Sequence, residues 1–181
     1  MTTHQTLPCI IIDSNAWNFL YSSEIELSSP ALNDYDFAIT LEIKREMDCL
    51  SGRIDKTDLY SYFLRQMDCL GQEKVYFGFF DSEFGEDEQR SGGFGYGSFA
   101  SAQERDFIEG NAHMIKQSRR GVYYGNEADL LIASRAGGTT YILTEDNSKS
   151  GPFKGLDNII NVSQSNPMTE SEFASFLKSS M

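Results

Sequence analysis

The chain has 181 residues, of which 40% are apolar and 13% aromatic, enough for one globular domain with a sizeable core and too apolar for wholesale disorder. Its formal net charge is −12, which opposes a surface that coats nucleic acid generally and suits a chain that gathers carboxylates for cations or a basic partner. No apolar run approaches ~18–20 residues, the first residues lack a basic patch and an apolar core, and so neither a membrane span nor a signal peptide is expected.

The three cysteines, Cys9, Cys49 and Cys69, have no metal or redox spacing and are expected to be buried small hydrophobes in a reducing cytoplasm. With only His4 and His113 available, a histidine-based nucleophile system is poorly supplied.

In chain order, Cys9-Ile-Ile-Ile12 is expected as a strand buried on both faces, with Asp13 directly after it and a short helix over about 15–22. Residues 22–34 form a polar loop, 35–39 a strand, and Thr40 opens a helix that Ser51-Gly52 closes. A second helix covers 55–70. The two helices share a phrase, Arg45-Glu-Met-Asp-Cys-Leu50 and Arg65-Gln-Met-Asp-Cys-Leu70, too little for a repeat architecture. Val75–Phe80 is expected as a strand and 81–97 as a long mobile loop, acidic and then glycine-rich.

Ser101 with Glu104 starts a helix by a capping box, expected to run to about Gln117. Lys116-Gln-Ser-Arg-Arg120 is a basic patch in an acidic chain. Asn126 caps a helix through Arg135, which Gly137-Gly138 stops. Strands over 140–144 and 158–162 follow. Thr169 and Glu172 form a second capping box, with Met168 and Phe173 as its hydrophobic staple. Strands alternating with helices imply one α/β domain with a mainly parallel sheet and helices on both faces.

In such a sheet, strand carboxyl ends and helix amino ends share an edge, where ligands bind. Asp13 and Asp146 follow apolar strands there. Glu127 and Asp129 lie in the first turn after Asn126, and Glu42 and Glu46 lie four apart after Thr40. Each has a structural alternative. Asp13 could cap a helix, Asp129 could complete a capping box, Glu42 and Glu127 could answer the helix dipole, and Asp146 could be a turn residue. Glu46, in a second turn, has no capping explanation. Carboxylates converging without basic partners call for divalent cations, and all-oxygen ligands select Mg²⁺ or Mn²⁺. Two ions ~4 Å apart could drive phosphodiester hydrolysis without a histidine.

These segments together resemble the PIN-domain nucleases. Ile10-Ile-Ile-Asp-Ser-Asn15 is similar to that family's opening Asp-x-Asn, Ile39–Asp48 to its second segment, Asn126-Glu-Ala-Asp-Leu-Leu-Ile-Ala133 to its third and Leu143-Thr-Glu-Asp146 to its fourth, Thr-x-Asp.

The resemblance implies a three-layer α/β/α sandwich with a five-stranded, mainly parallel sheet. It implies that Asp13, Glu46, Asp129 and Asp146 bind Mg²⁺ or Mn²⁺, with two ions expected. Asn15 and Thr144 would support them, Glu127 would be an extra ligand, and Ser14 would be left as the helix cap. The activity implied is endonucleolytic cleavage, of RNA rather than DNA and mostly single-stranded. An antitoxin or regulatory protein is an expected partner, and a homodimer is a further expectation.

Lys116, Arg119, Arg120, Arg135, Lys149 and Lys154 could track phosphates, and Phe94, Tyr96, Tyr123 and Tyr124 could stack on bases. Ordinary solvated charge and loop anchoring are the structural alternatives. Two other functions compete with cleavage: an inactive PIN-like scaffold acting through a protein partner, and a phosphoryl-receiving signalling domain, for which the middle strand does end at Phe80-Asp81 but Leu143-Thr-Glu-Asp146 ends in acid where a late-strand Lys is needed.

Overall fold

The structure is a computed structural model. It describes residues 6–70, 101–120, 123–147 and 151–181, with side chains left out for 117–120 and 123–125.

The isoleucine run is the centre of the sheet. β1 (Cys9–Ile12) is buried along its whole length. It pairs in parallel with β2 (Asp36–Ala38) on one side and β5 (Thr140–Thr144) on the other. β6 (Ile159–Asn161) extends the sheet beyond β5, giving the order β2-β1-β5-β6. A strand with neighbours on both edges and layers on both faces can hold only apolar side chains. That is why Ile10, Ile11 and Ile12 are wholly inaccessible. Four parallel strands, rather than five, form this sheet among the described residues. The expected strand at 75–80 and the acidic, glycine-rich loop at 81–97 lie outside those residues, as does Lys149.

Six α-helices occur among the described residues. α1 (Ala16–Ser22) carries Trp17 and Phe19 into the core. Trp17 meets Phe63 of α3 (Thr57–Gln66) edge-on at 4.9 Å between ring centroids. Phe19 meets Phe173 of α6 (Glu170–Ser180) at 5.6 Å. One short helix thus joins two others through rings that point in different directions. The loop between α1 and β2 is tied down by the same helices. Buried Gln66 accepts from Leu27 N at 2.9 Å and donates to Glu26 Oε2 at 2.6 Å, Tyr62 Oη donates to the Ile25 carbonyl, and Ser29 Oγ donates to Glu170 at 2.6 Å.

Helix starts follow the expected chemistry in three places. Thr40 Oγ1 accepts from Ile43 N at the start of α2 (Leu41–Asp48). Both capping boxes form, Ser101/Glu104 ahead of α4 (Ala102–Asn111) and Thr169/Glu172 ahead of α6. Phe173 and Leu177 of α6 are buried, and Met168 and Phe176 pack against the same core.

Four expectations need correction. The helix from Ser101 ends at Asn111, not near Gln117. Gly110 weakens its end, and Asn111 turns its side chain back onto the Phe107 carbonyl at 2.8 Å. After a single 3₁₀ turn, the basic segment becomes β3 (Lys116–Arg120), paired antiparallel with β4 (Tyr123–Gly125). Asn126 does not cap α5 (Glu127–Ala133) with its side chain. It holds a left-handed backbone, φ 65°, and donates to the Met114 carbonyl at 3.2 Å. The residue ahead of α1 is Asn15 rather than Ser14, and it makes no side-chain cap bond either. Of the cysteines, only Cys9 is buried; Cys69 is half-buried and Cys49 exposed. No helix among the described residues is long and apolar enough to cross a membrane.

Candidate functional site

The chain leaves β1 towards β2 on one side and later returns to lay β5 on the other. Ligand crevices in open parallel sheets form outside the carboxyl ends of strands at such a reversal. Here those ends are Asp13 and the Thr144-Glu145-Asp146 turn, and the register brings them side by side. Ile12 pairs with Leu143, and Asp13 N donates to the Leu143 carbonyl at 3.0 Å.

Asp13 is 1% exposed. Its Oδ1 accepts from Ser14 N at 2.7 Å and its Oδ2 from Thr144 Oγ1 at 2.7 Å. Thr144 Oγ1 in turn accepts from Asp146 N at 2.9 Å. Asn15 Oδ1 faces the same hydroxyl at 3.1 Å and accepts from Glu145 N at 2.8 Å. Asp13 is therefore no helix cap. It is a buried carboxyl held by neutral donors. Burial above all pushes its pKa up to about 7; the negative charges of Asp129 and then Glu46 add to the rise, while Thr144 and Ser14 oppose it. Asp129 and Glu46 thus stand near enough to be felt electrostatically.

The other acids lie around Asp13. Asp129 and Asp146, both half-buried, line an open cavity of about 410 Å³ with Met114, Lys116, Asn126, Gly151 and Pro152. Glu46, also half-buried, lines a second hollow of about 310 Å³ with Ser14, Asn15, Asn18 and Lys56 among others. Asn126 makes no cap bond, so Asp129 is not half of a capping box. Glu127 is half-buried at the start of α5. Glu145 turns away, accepting from the Gln164 side chain at 2.9 Å and from its backbone N–H.

No family model, characterised protein or solved structure matches this chain.

Glu42 has a different fate. It is 2% exposed and pairs with Arg135, itself 9% exposed, across 3.5 Å. That buried pair links α2, which carries Glu46, to the end of α5, which carries Asp129. It separates the two acids of α2: Glu42 faces a cation inside the protein, whereas Glu46, one turn on, opens to a hollow. It also removes Arg135 from the candidate phosphate-tracking surface. Asn18 and Lys56, which sequence reasoning did not select, join the site through the second hollow, where Lys56 Nζ donates to Asn18 Oδ1 at 3.4 Å. Asn18 could have been flagged by its position one helical turn after Asn15; Lys56 arrives from another helix and leaves no local signal.

Among the described residues, no three Asp, Glu, His or Cys side chains stand close enough to hold one ion. The donor types still suit a hard cation. They are carboxylate and amide oxygens, and the neighbouring acids make ionising Asp13 harder. A divalent ion would reverse that effect, because positive charge favours the carboxylate.

Proposed function

We propose that this chain is a Mg²⁺- or Mn²⁺-dependent nuclease of PIN type that hydrolyses phosphodiester bonds, with single-stranded RNA as its substrate. The observation that carries the reading is Asp13: a buried carboxyl at the carboxyl end of the central strand, paired with no Lys or Arg among the described residues and destabilised as a carboxylate by two further acids. A purely structural residue at this place would be expected to be apolar or to face a basic partner, as Glu42 does.

Asp13, Glu46, Asp129 and Asp146 would hold the ions, with Glu127 as an additional ligand. When bound, such ions supply an activated water and neutralise charge on the departing oxygen. The chain's own residues set the stage for that. Thr144 fixes the rotamer of Asp13 and the turn that presents Asp146, and Asn15 clamps that turn from the same end of the neighbouring strand. Lys116 brings positive charge to the cavity of Asp129 and Asp146, where a scissile phosphate would lie. The biological form suggested by small PIN proteins is a cytoplasmic toxin restrained by an antitoxin or another regulatory protein.

The test is cleavage of single-stranded RNA, single-stranded DNA and duplexes with Mn²⁺. Asp13→Asn and Asp146→Asn should each abolish cutting while the fold is kept. Full metal-dependent activity in either variant, from protein free of contaminating nuclease, would refute the site.

The rival reading is a scaffold without activity. It draws on the protein-only satisfaction of both Asp13 oxygens. Calorimetric titration with Mn²⁺ separates the two, since a scaffold need not bind the ion at Asp13.

A further inference from the structure

Between Glu109 and Glu127 the sequence contains no acidic residue, although the chain as a whole carries −12. The described part of this stretch holds the two-stranded ribbon β3–β4. Its register sets Arg119 opposite Tyr124 and Arg120 opposite Tyr123, with Lys116 opposite Gly125 and a bulge between Lys116 and Arg119. Directly opposed residues of an antiparallel pair share a face, and successive pairs alternate faces. Whichever face meets a ligand therefore offers one guanidinium residue and one phenol residue.

The base of the ribbon opens on the acid-lined cavity. Lys116 begins β3 and is exposed in that cavity beside Asp129 and Asp146. Gly125 ends β4, and the left-handed corner at Asn126 leads straight into α5, the helix of Asp129. The Asn126 side chain donates to the Met114 carbonyl at 3.2 Å, closing the two ends of the segment on each other.

We infer that the β3–β4 ribbon is a guide for a single nucleic-acid strand, leading it to the cavity of Asp129 and Asp146. This rests on the nuclease reading above. Arginines paired with tyrosines suit a chain of phosphates bearing unstacked bases: the cations follow the backbone and the rings stack on the bases. A duplex keeps its bases stacked inside and offers the tyrosines nothing. In a chain of net −12, which repels polyanions at long range, a local cationic element of this kind is what a strand needs to approach.

The test is fluorescence anisotropy with a labelled short oligonucleotide, as RNA strand, DNA strand and duplex, in chelator so that nothing is cut. The full chain should bind a strand more tightly than the duplex, with a log–log salt slope of about −1.4 for two cations, Lys116 and the one arginine on the face that meets the strand. The tighter of the two strand arms names the substrate. Arg119→Gln with Arg120→Gln should weaken binding about tenfold and bring the slope to about −0.7. Tyr123→Leu with Tyr124→Leu should weaken it about tenfold with the slope kept, and phenylalanine at both positions should restore it.

Binding within about twofold of the parent by both double variants would overturn the ribbon, as would a parent that binds no strand, prefers the duplex or shows no salt slope. Asp13→Asn separates this claim from the nuclease reading. If that variant still cleaves, the acid site is refuted and the ribbon stands. If it no longer cleaves while the ribbon variants bind like the parent, the ribbon alone is refuted.

Discussion

Thr144 places one hydroxyl between two acidic segments: it donates to Asp13 Oδ2 at 2.7 Å and accepts from the Asp146 backbone N–H at 2.9 Å. The hydroxyl is fully buried, so water cannot replace it. Thr144→Val keeps the shape and strands both partners. It should destabilise the protein by about 2–3 kcal/mol in urea unfolding, while Thr144→Ser stays within about 1 kcal/mol of the parent. Equal stability of Val and Ser variants would show that the hydroxyl holds nothing.

The raised pKa of Asp13 makes a signed prediction for metal-free protein. Between the ordinary 3.8 and about 7, the folded chain binds a proton that the unfolded chain has released. The stabilisation from this group is complete below about pH 4 and is lost as pH rises through about 7. Asp13→Asn removes that loss. Its new amide can accept from Ser14 N and donate to Thr144, whose own hydrogen can turn to Asn15 Oδ1. In chelator, the variant should match the parent below about pH 4 and exceed it near pH 8 by on the order of 4 kcal/mol. Identical pH dependence of melting in both would contradict the assignment.

Arg135 offers a contrast, because its role is internal. Arg135→Met leaves the Glu42 carboxylate buried opposite an apolar chain, at a cost of about 3–5 kcal/mol. Adding Glu42→Leu removes the stranded charge and should recover most of that loss. The double variant, assayed for strand binding, should bind like the parent. A single variant of unchanged stability that binds strands weakly would return Arg135 to the surface.

Gln66 anchors the loop after α1. Gln66→Met leaves Leu27 N–H unpaired and removes one of the bonds to Glu26, which keeps Arg65, costing about 2 kcal/mol. Limited proteolysis should then cut within residues 23–29 sooner than in the parent. Unchanged cleavage there would mean that Tyr62 and Glu170 suffice to hold the loop.

The strand-end acids were legible because an apolar run and the residue after it are adjacent in sequence. Ile10–Ile12 announces β1 and so places Asp13; Tyr141–Leu143 does the same for Asp146. Glu46 could be preferred to Glu42 only through the resemblance, which sets an acid about two turns after the helix start, and the reason Glu42 is set apart could not be read, since Arg135 reaches it from another element. The β3–β4 ribbon escaped for a local reason. Its first strand is polar throughout and lacks the apolar alternation that marks a strand, while the capping box before it suggested a longer helix. Gly110-Asn111 was the signal that the helix had ended. The left-handed corner at Asn126 hid in the same way, because Asn suits both a cap and positive φ.

The parallel pairing of β1 with β5 bears on synthesis as well as on geometry. Asp13 and the Thr144 hydroxyl are separated by 131 positions in the chain and meet only when β5 docks beside the isoleucine strand. Such distant pairing closes late, after the local helices have formed. On the ribosome, a nascent chain can complete α1, β2 and α2 with Asp13 and Glu46 already in place, yet it lacks the strand that positions Asp146. The step that docks β5 beside β1 is thus also the step that brings the Thr144-Glu145-Asp146 turn to Asp13.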